Sequence, residues 1–246
     1  MRSLRRIFTL TARNVKEILR DPLALVFLFA LPLVMLVGFY FVFHTLAEQF
    51  SMQYLAPGMV GFGTSFLALF VGLLYTADKT TAFSARLAAM PVKNYEYVLG
   101  FVLATLPLAA VQSILFFATA CVIDPSFFSA RLLLAILLSL PVSLLFIGCG
   151  LLFGEIASEK SVGGLCSVMI VGQSVLSGMW FPLQGMSEGF LLFMKILPFR
   201  NITLIMQNVC AGENIGIPLL IVAAYAVAVN VAAVLVRKIK RGRSDS

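Results

Sequence analysis

Charge is scarce in this chain of 246 residues: 12% are Asp, Glu, Lys or Arg, while 61% are hydrophobic. Soluble domains carry about 25% charged and about 45–50% apolar residues. At a mean hydropathy of +1.01, the apolar side chains exceed what one water-excluded core of this length can enclose, so most of them must face lipid. Histidine is nearly absent. A lone His44 excludes a zinc site built on two or three imidazoles, and the four cysteines show no C-x-x-C spacing, so metal catalysis has no support. A serine hydrolase fails as well, because Gly172-Gln173-Ser174 lacks the second glycine two positions after the serine. No Gly-Lys dipeptide occurs, so the phosphate-cradling loop G-x-x-x-x-G-K-[ST] is missing and the chain cannot hydrolyse ATP unaided. Four Cys and ten Pro are too few for a disulfide scaffold or a collagen.

What is present is a series of uncharged apolar runs. Crossing about 30 Å of hydrocarbon takes about 20 helical residues. Six runs reach that length: 23–43, 57–77, 98–123, 132–153, 162–181 and 215–236. Gly185, Glu188, Lys195, Pro198, Arg200 and Asn201 interrupt residues 182–214, which predicts short re-entrant or outer helices between the fifth and sixth spans. The expected fold is an all-α membrane protein of six transmembrane helices forming a single transmembrane domain over 1–246.

Of the eighteen Lys and Arg, fifteen fall in the N-terminal arm, the loops after the second and fourth runs, and the tail; only Arg131, Lys195 and Arg200 fall on the other side. The positive-inside rule then places both termini in the cytoplasm, and the net charge of +7 reads as orientation and not as nucleic-acid binding. The N-terminal arm, 1–21, is amphipathic. On a wheel of about 100° per residue its Arg and Lys fall within roughly −60° to +40°, with Leu4, Ile7, Phe8, Val15, Ile18 and Leu19 at roughly 140° to 260°, which predicts an interfacial helix on the cytoplasmic face. It is not a signal peptide, because the run after Asp21-Pro22 is a full span without a small-x-small cleavage site. Cys121 and Cys210 share the outer side, as a disulfide or as two small apolar residues.

No span carries an Asp, Glu, Lys or Arg near its middle, which disfavours ion-coupled transport and a selective ion channel. In the second span Gly61, Ser65, Ala68, Gly72 and Thr76 repeat at helical spacing and read as a close-packing stripe. The fifth span carries the one large polar side chain near mid-membrane, Gln173. Its wheel groups Cys166, Ile170, Gln173, Ser177 and Trp180 on one face, read as substrate path, and Ser167, Ser174 and Gly178 on another, read as helix packing. An interhelical hydrogen bond without a transport role is the other reading of Gln173. Phe39, Tyr40 and Phe43, near the outer end of the first span, are candidate aromatic neighbours of that path, although an interfacial aromatic belt explains them equally. In the loop 78–97, Phe83, Leu87 and Met90 at i, i+4 and i+7 make an apolar stripe with Arg86 on the other side.

Several stretches carry a family resemblance: Arg20-Asp21-Pro22 before a span containing Pro32; Tyr54-Leu55-Ala56-Pro57-Gly58 opening the second; Leu87-Ala88-Ala89-Met90-Pro91-Val92, then Tyr97-Val98-Leu99-Gly100; and Ser177-Gly178-Met179-Trp180-Phe181-Pro182-Leu183 before Leu197-Pro198. In this order and spacing the chain resembles the membrane (permease) subunits of type-2 ABC transporters of the exporter kind. It departs from them at Asp78-Lys79-Thr80-Thr81-Ala82-Phe83, where the family often has Glu and Gly-Thr, and at Leu197-Pro198-Phe199-Arg200-Asn201, where an Asn-Pro-Leu is usual. The resemblance implies a dimer with a second permease copy or a homologue, in the cytoplasmic membrane of a prokaryote. It also implies a separate ABC ATPase that binds ATP and Mg, with no cofactor on this chain. By the same analogy Phe83, Arg86, Leu87 and Met90 belong to a coupling helix contacting that ATPase, against the plainer alternative of a surface helix. The absence of buried charge points to an amphipathic or hydrophobic substrate such as a drug, lipid or peptide. A non-transporting membrane sensor or scaffold on the same fold is the alternative.

Overall fold

The computed structural model describes residues 2–81, 93–181, 183 and 185–244. It is 88% helical, without a strand among the described residues. In chain order the α-helices are α1 (Arg2–Arg20), α2 (Pro22–Leu25), α3 (Leu31–Phe43), α4 (Met52–Thr80), α5 (Asn94–Ile123), α6 (Arg131–Ile156), α7 (Glu159–Leu176), α8 (Glu188–Ile196), α9 (Pro198–Ala211) and α10 (Gly216–Ser244). Five helical stretches are long and apolar enough to cross a bilayer: Pro22–Phe43, Met52–Thr80, Asn94–Ile123, Arg131–Ile156 and Gly216–Lys240. Counting the bent pair α8 and α9 as one span makes six. The chain is a multi-pass membrane protein.

α4 is the hub. Its most apolar window is 83% buried, against 17% for Pro22–Phe43 and for Gly216–Lys240, so the first and last spans are peripheral and turn most of their surface outward. The predicted small-residue stripe is where α4 is approached. A Cβ at Gly72 would lie 2.9 Å from Cys166 Sγ, and one at Gly150 of α6 would lie 2.5 Å from the Ala68 carbonyl oxygen. Without side chains at these points the helix backbones come close enough for dispersion contacts, which drive association where lipid is as apolar as leucine.

The first span follows from its prolines. Asp21 accepts from the Leu23 and Ala24 amides and caps α2 beside Pro22. Pro32 has no N–H to give the Leu28 carbonyl four residues earlier, the turn Val26–Ala30 widens into a π-helix, and Gln112 Nε2 from α5 donates to the freed Leu28 oxygen instead.

Two expectations need correction. The fifth span does not run to residue 181: α7 stops at Leu176, because Gly178 takes φ +71° and Ser177 Oγ accepts from the Met179 amide. Its 18 residues cover about 27 Å, and Glu159, Lys160 and Gln173 keep it out of the five most apolar spans. The N-terminal arm forms the expected helix, but its apolar face is two faces. Ile7, Leu10 and Ile18 are buried while Leu4, Phe8 and Leu19 are exposed. The buried stripe packs on α5; the exposed one faces away from the bundle.

Candidate functional site

Contacts between distant segments define two ends of the molecule. At the end away from the termini, the 3₁₀ turn Glu48–Phe50 meets the irregular segment after α7, with Gln49 Nε2 donating to the Trp180 carbonyl at 2.8 Å. Phe39 is the centre of an aromatic cluster there. Its ring lies 4.6 Å from Trp180, 5.9 Å from Phe43 and 6.3 Å from Phe50. Three of the six expected path residues, Phe39, Phe43 and Trp180, are therefore brought together. Tyr40 is turned aside, stacked on His44 at 4.5 Å, and His44 Nδ1 meets the Tyr40 carbonyl at 2.8 Å.

Gln173 and Ser177 lie elsewhere. Both are buried inside the protomer. Gln173 Nε2 donates to the Phe199 carbonyl at 3.4 Å and to Thr203 Oγ1 at 3.3 Å, both on α9, and it lies 3.2 Å from where a Cβ on Gly61 would sit. Its Oε1 has no partner among the described residues. The face with Cys166, Gln173 and Ser177 thus packs within the bundle, whereas Ser167, Val168 and Val171 are exposed. Trp180 also leaves the wheel drawn for it. The chain folds back at Gly178, so the indole Nε1 donates to Ser174 Oγ at 2.8 Å and sits with the other serine group.

At the opposite end, a polar network that sequence reasoning missed joins five helices. Asp78, at the end of α4 and buried, receives both guanidinium nitrogens of Arg13 from α1, the Nη1 contact at 2.7 Å, and the Tyr97 hydroxyl of α5 at 2.8 Å. Burial pulls the Arg13 guanidinium down, but the hydrogen bond and charge of Asp78 outweigh it and hold the group above its ordinary value. Glu155 of α6, also buried, accepts from the Tyr75 hydroxyl. Arg237 of α10 stacks 3.9 Å over the Tyr97 ring and donates to the Tyr75 oxygen. Lys79 closes the set, giving Nζ to the Gly154 and Glu155 carbonyls at 2.7 and 3.0 Å. Each acid here has a cation or hydroxyl partner, as burial of charge requires. One signal existed in the sequence: Asp78, Glu96 and Glu155 stand at span ends on the side otherwise rich in Lys and Arg.

The network flanks residues 82–92. Asp78 precedes them and Tyr97 follows them, so both ends of that loop are tied to α1, α6 and α10. Phe83, Arg86, Leu87 and Met90, the expected coupling residues, lie within this stretch and outside the described residues. Cys121 and Cys210 are free thiols.

No curated protein matches the chain. The profile of the ABC-2 type transporter family matches residues 5–209, from the arm that carries Arg13 to the helix that carries Arg200, and the chain belongs to that family of transporter membrane domains.

Proposed function

We propose that this chain is the permease subunit of an ATP-driven exporter, carrying an amphipathic or hydrophobic substrate out of the cytoplasm. A family match over residues 5–209 carries the reading. As a transport membrane subunit the chain is not itself an ATPase. In this proposal a separate cytoplasmic ABC ATPase binds ATP and Mg, two permease copies or homologues form the conduit, and the protein sits in the cytoplasmic membrane with both termini inside. Phe83, Leu87 and Met90 dock on the ATPase beside Arg86, and the network around Asp78 passes movement of that loop to α1, α6 and α10. Phe39, Phe43 and Trp180 edge the path at its outer end, with Tyr40 beside them; Gln173 and Ser177 brace the path from within the protomer.

The test is ATP turnover by the purified permease–ATPase complex in lipid, with and without candidate amphiphiles. Substrate-stimulated turnover that Leu87→Ala uncouples from transport, with assembly intact, supports the exporter. Robust hydrolysis by this chain alone, or turnover that no amphiphile alters while the complex still signals ligand, refutes it and favours a sensor or scaffold.

A further inference from the structure

Arg200 stands in the first turn of α9 at the end away from the termini, half-buried in the wall between two cavities of about 480 Å³ each. Tyr54 and Gln207 line both cavities with it. A guanidinium offers five N–H donors in a fixed fork. Among the described residues it makes one hydrogen bond, Nη1 to the Ser177 carbonyl at 3.1 Å, and no carboxylate pairs with it. Glu48 and Glu213 line the two cavities but are exposed and unpaired with it; Arg131, exposed in the second cavity, gives Nη1 to the Ala211 carbonyl at 2.8 Å.

A cation withdrawn from water needs compensation, and a planar fork with open donors suits a carboxylate or phosphate. Next to it the first cavity presents Met179, Phe181 and Leu183, on the segment that also carries Trp180 into the aromatic cluster. Cation and apolar wall stand side by side.

We propose that the two cavities joined at Arg200 bind the anionic group of an amphiphile, a carboxylate or a phosphate, with its apolar part along Met179, Phe181 and Leu183. This names an acidic amphiphile as the substrate class at the exit end and rests on the exporter reading for its place in transport, but binding itself needs no ATPase.

Trp180 is the only tryptophan, and its neighbours in sequence wall the first cavity, so its fluorescence reports occupancy. The full chain is purified into nanodiscs of zwitterionic lipid and titrated with 12-doxyl-stearic acid and, separately, with its uncharged methyl ester. The acid should quench saturably and bind at least about tenfold more tightly than the ester, in keeping with hydrogen bonds to a charged group. Arg200→Gln should remove that preference and Arg200→Lys restore part of it. Gln207→Glu keeps Arg200 and its bond to Ser177, places a repelling carboxylate in the shared wall, and should also weaken the acid about tenfold; it covers the case in which Arg200→Gln fails to fold. Equal quenching by acid and ester in the wild type, or an acid preference unchanged in Gln207→Glu, overturns the site. Full displacement of the acid by inorganic phosphate below millimolar concentration overturns the amphiphile and leaves a free-anion site. Because no ATP is present, loss of the exporter reading would leave these binding results standing.

Discussion

Replacing Asp78 with leucine should loosen the end of the molecule that carries the termini. Its carboxylate is 3% exposed and holds three donors, while the Arg13 side chain keeps 26% exposure. Losing the acid strands the hydroxyl of Tyr97, a residue only 2% exposed, at about 1–3 kcal/mol. Arg13 loses a bidentate partner but retains some water, so its share is smaller, about 1–2 kcal/mol. Together these give about 2–5 kcal/mol. Arg13→Leu alone should cost about 3–5 kcal/mol, because among the described residues the buried carboxylate then keeps only Tyr97. The double variant removes both charges and should be less damaged than the sum of the singles, with a coupling of about 2 kcal/mol. Reversible unfolding in mixed micelles measures all four forms, and a cysteine at Thr11, half-buried and bonded only within α1, reports whether α1 has detached. Costs that add to within about 0.5 kcal/mol would show that the pair is effectively solvated and that α1 is docked by its other contacts, the buried Ile7, Leu10 and Ile18 and the bonds of Ser3 and Arg6 to Glu96.

Glycine substitutions should separate packing from mere helix content. Gly150→Ala puts a methyl group 2.5 Å from the Ala68 carbonyl and should destabilise, whereas Gly163→Ala, with nothing within 4 Å, should gain up to about 1 kcal/mol of helix propensity; thermal unfolding of the two reads the difference, and equal effects would refute the close approach of α4 and α6. Gln173→Leu breaks the donations to Phe199 and Thr203 and should cost about 0.6–2 kcal/mol, visible in the same assay; a changed transport profile at unchanged stability would instead put Gln173 in the conduit. For orientation, single cysteines at Gln53 and Lys195 should react with an impermeant thiol reagent on intact cells while those at Arg86 and Ser244 stay protected, and labelling at Arg86 would reverse the topology.

Much of this architecture was legible in order along the chain. Hydrocarbon thickness sets a length that uncharged runs either reach or miss, so the spans around α4, α5, α6 and α10 and the membrane class itself follow from composition. The arm before Asp21-Pro22 declares a helix by period alone. The family likeness, too, lay in linear motifs from Arg20 to Pro198. Periodicity, however, says that a face is special without saying what it meets. Gln173, Ser177 and Cys166 shared a wheel face that pointed equally to a conduit or to a neighbour, and only the positions of α4 and α9 make it a packed interior. The same limit split the apolar side of α1 in two, since burial against α5 and burial in lipid demand the same residues. Trp180 left its predicted face because one glycine at positive φ redirects the chain, a conformation that glycine permits but does not announce. The network of Asp78, Tyr97, Arg13, Glu155, Tyr75 and Arg237 joins five helices far apart in sequence. Its charges look solvated one at a time, and they become buried and mutually satisfied only where tertiary packing brings the helix ends together.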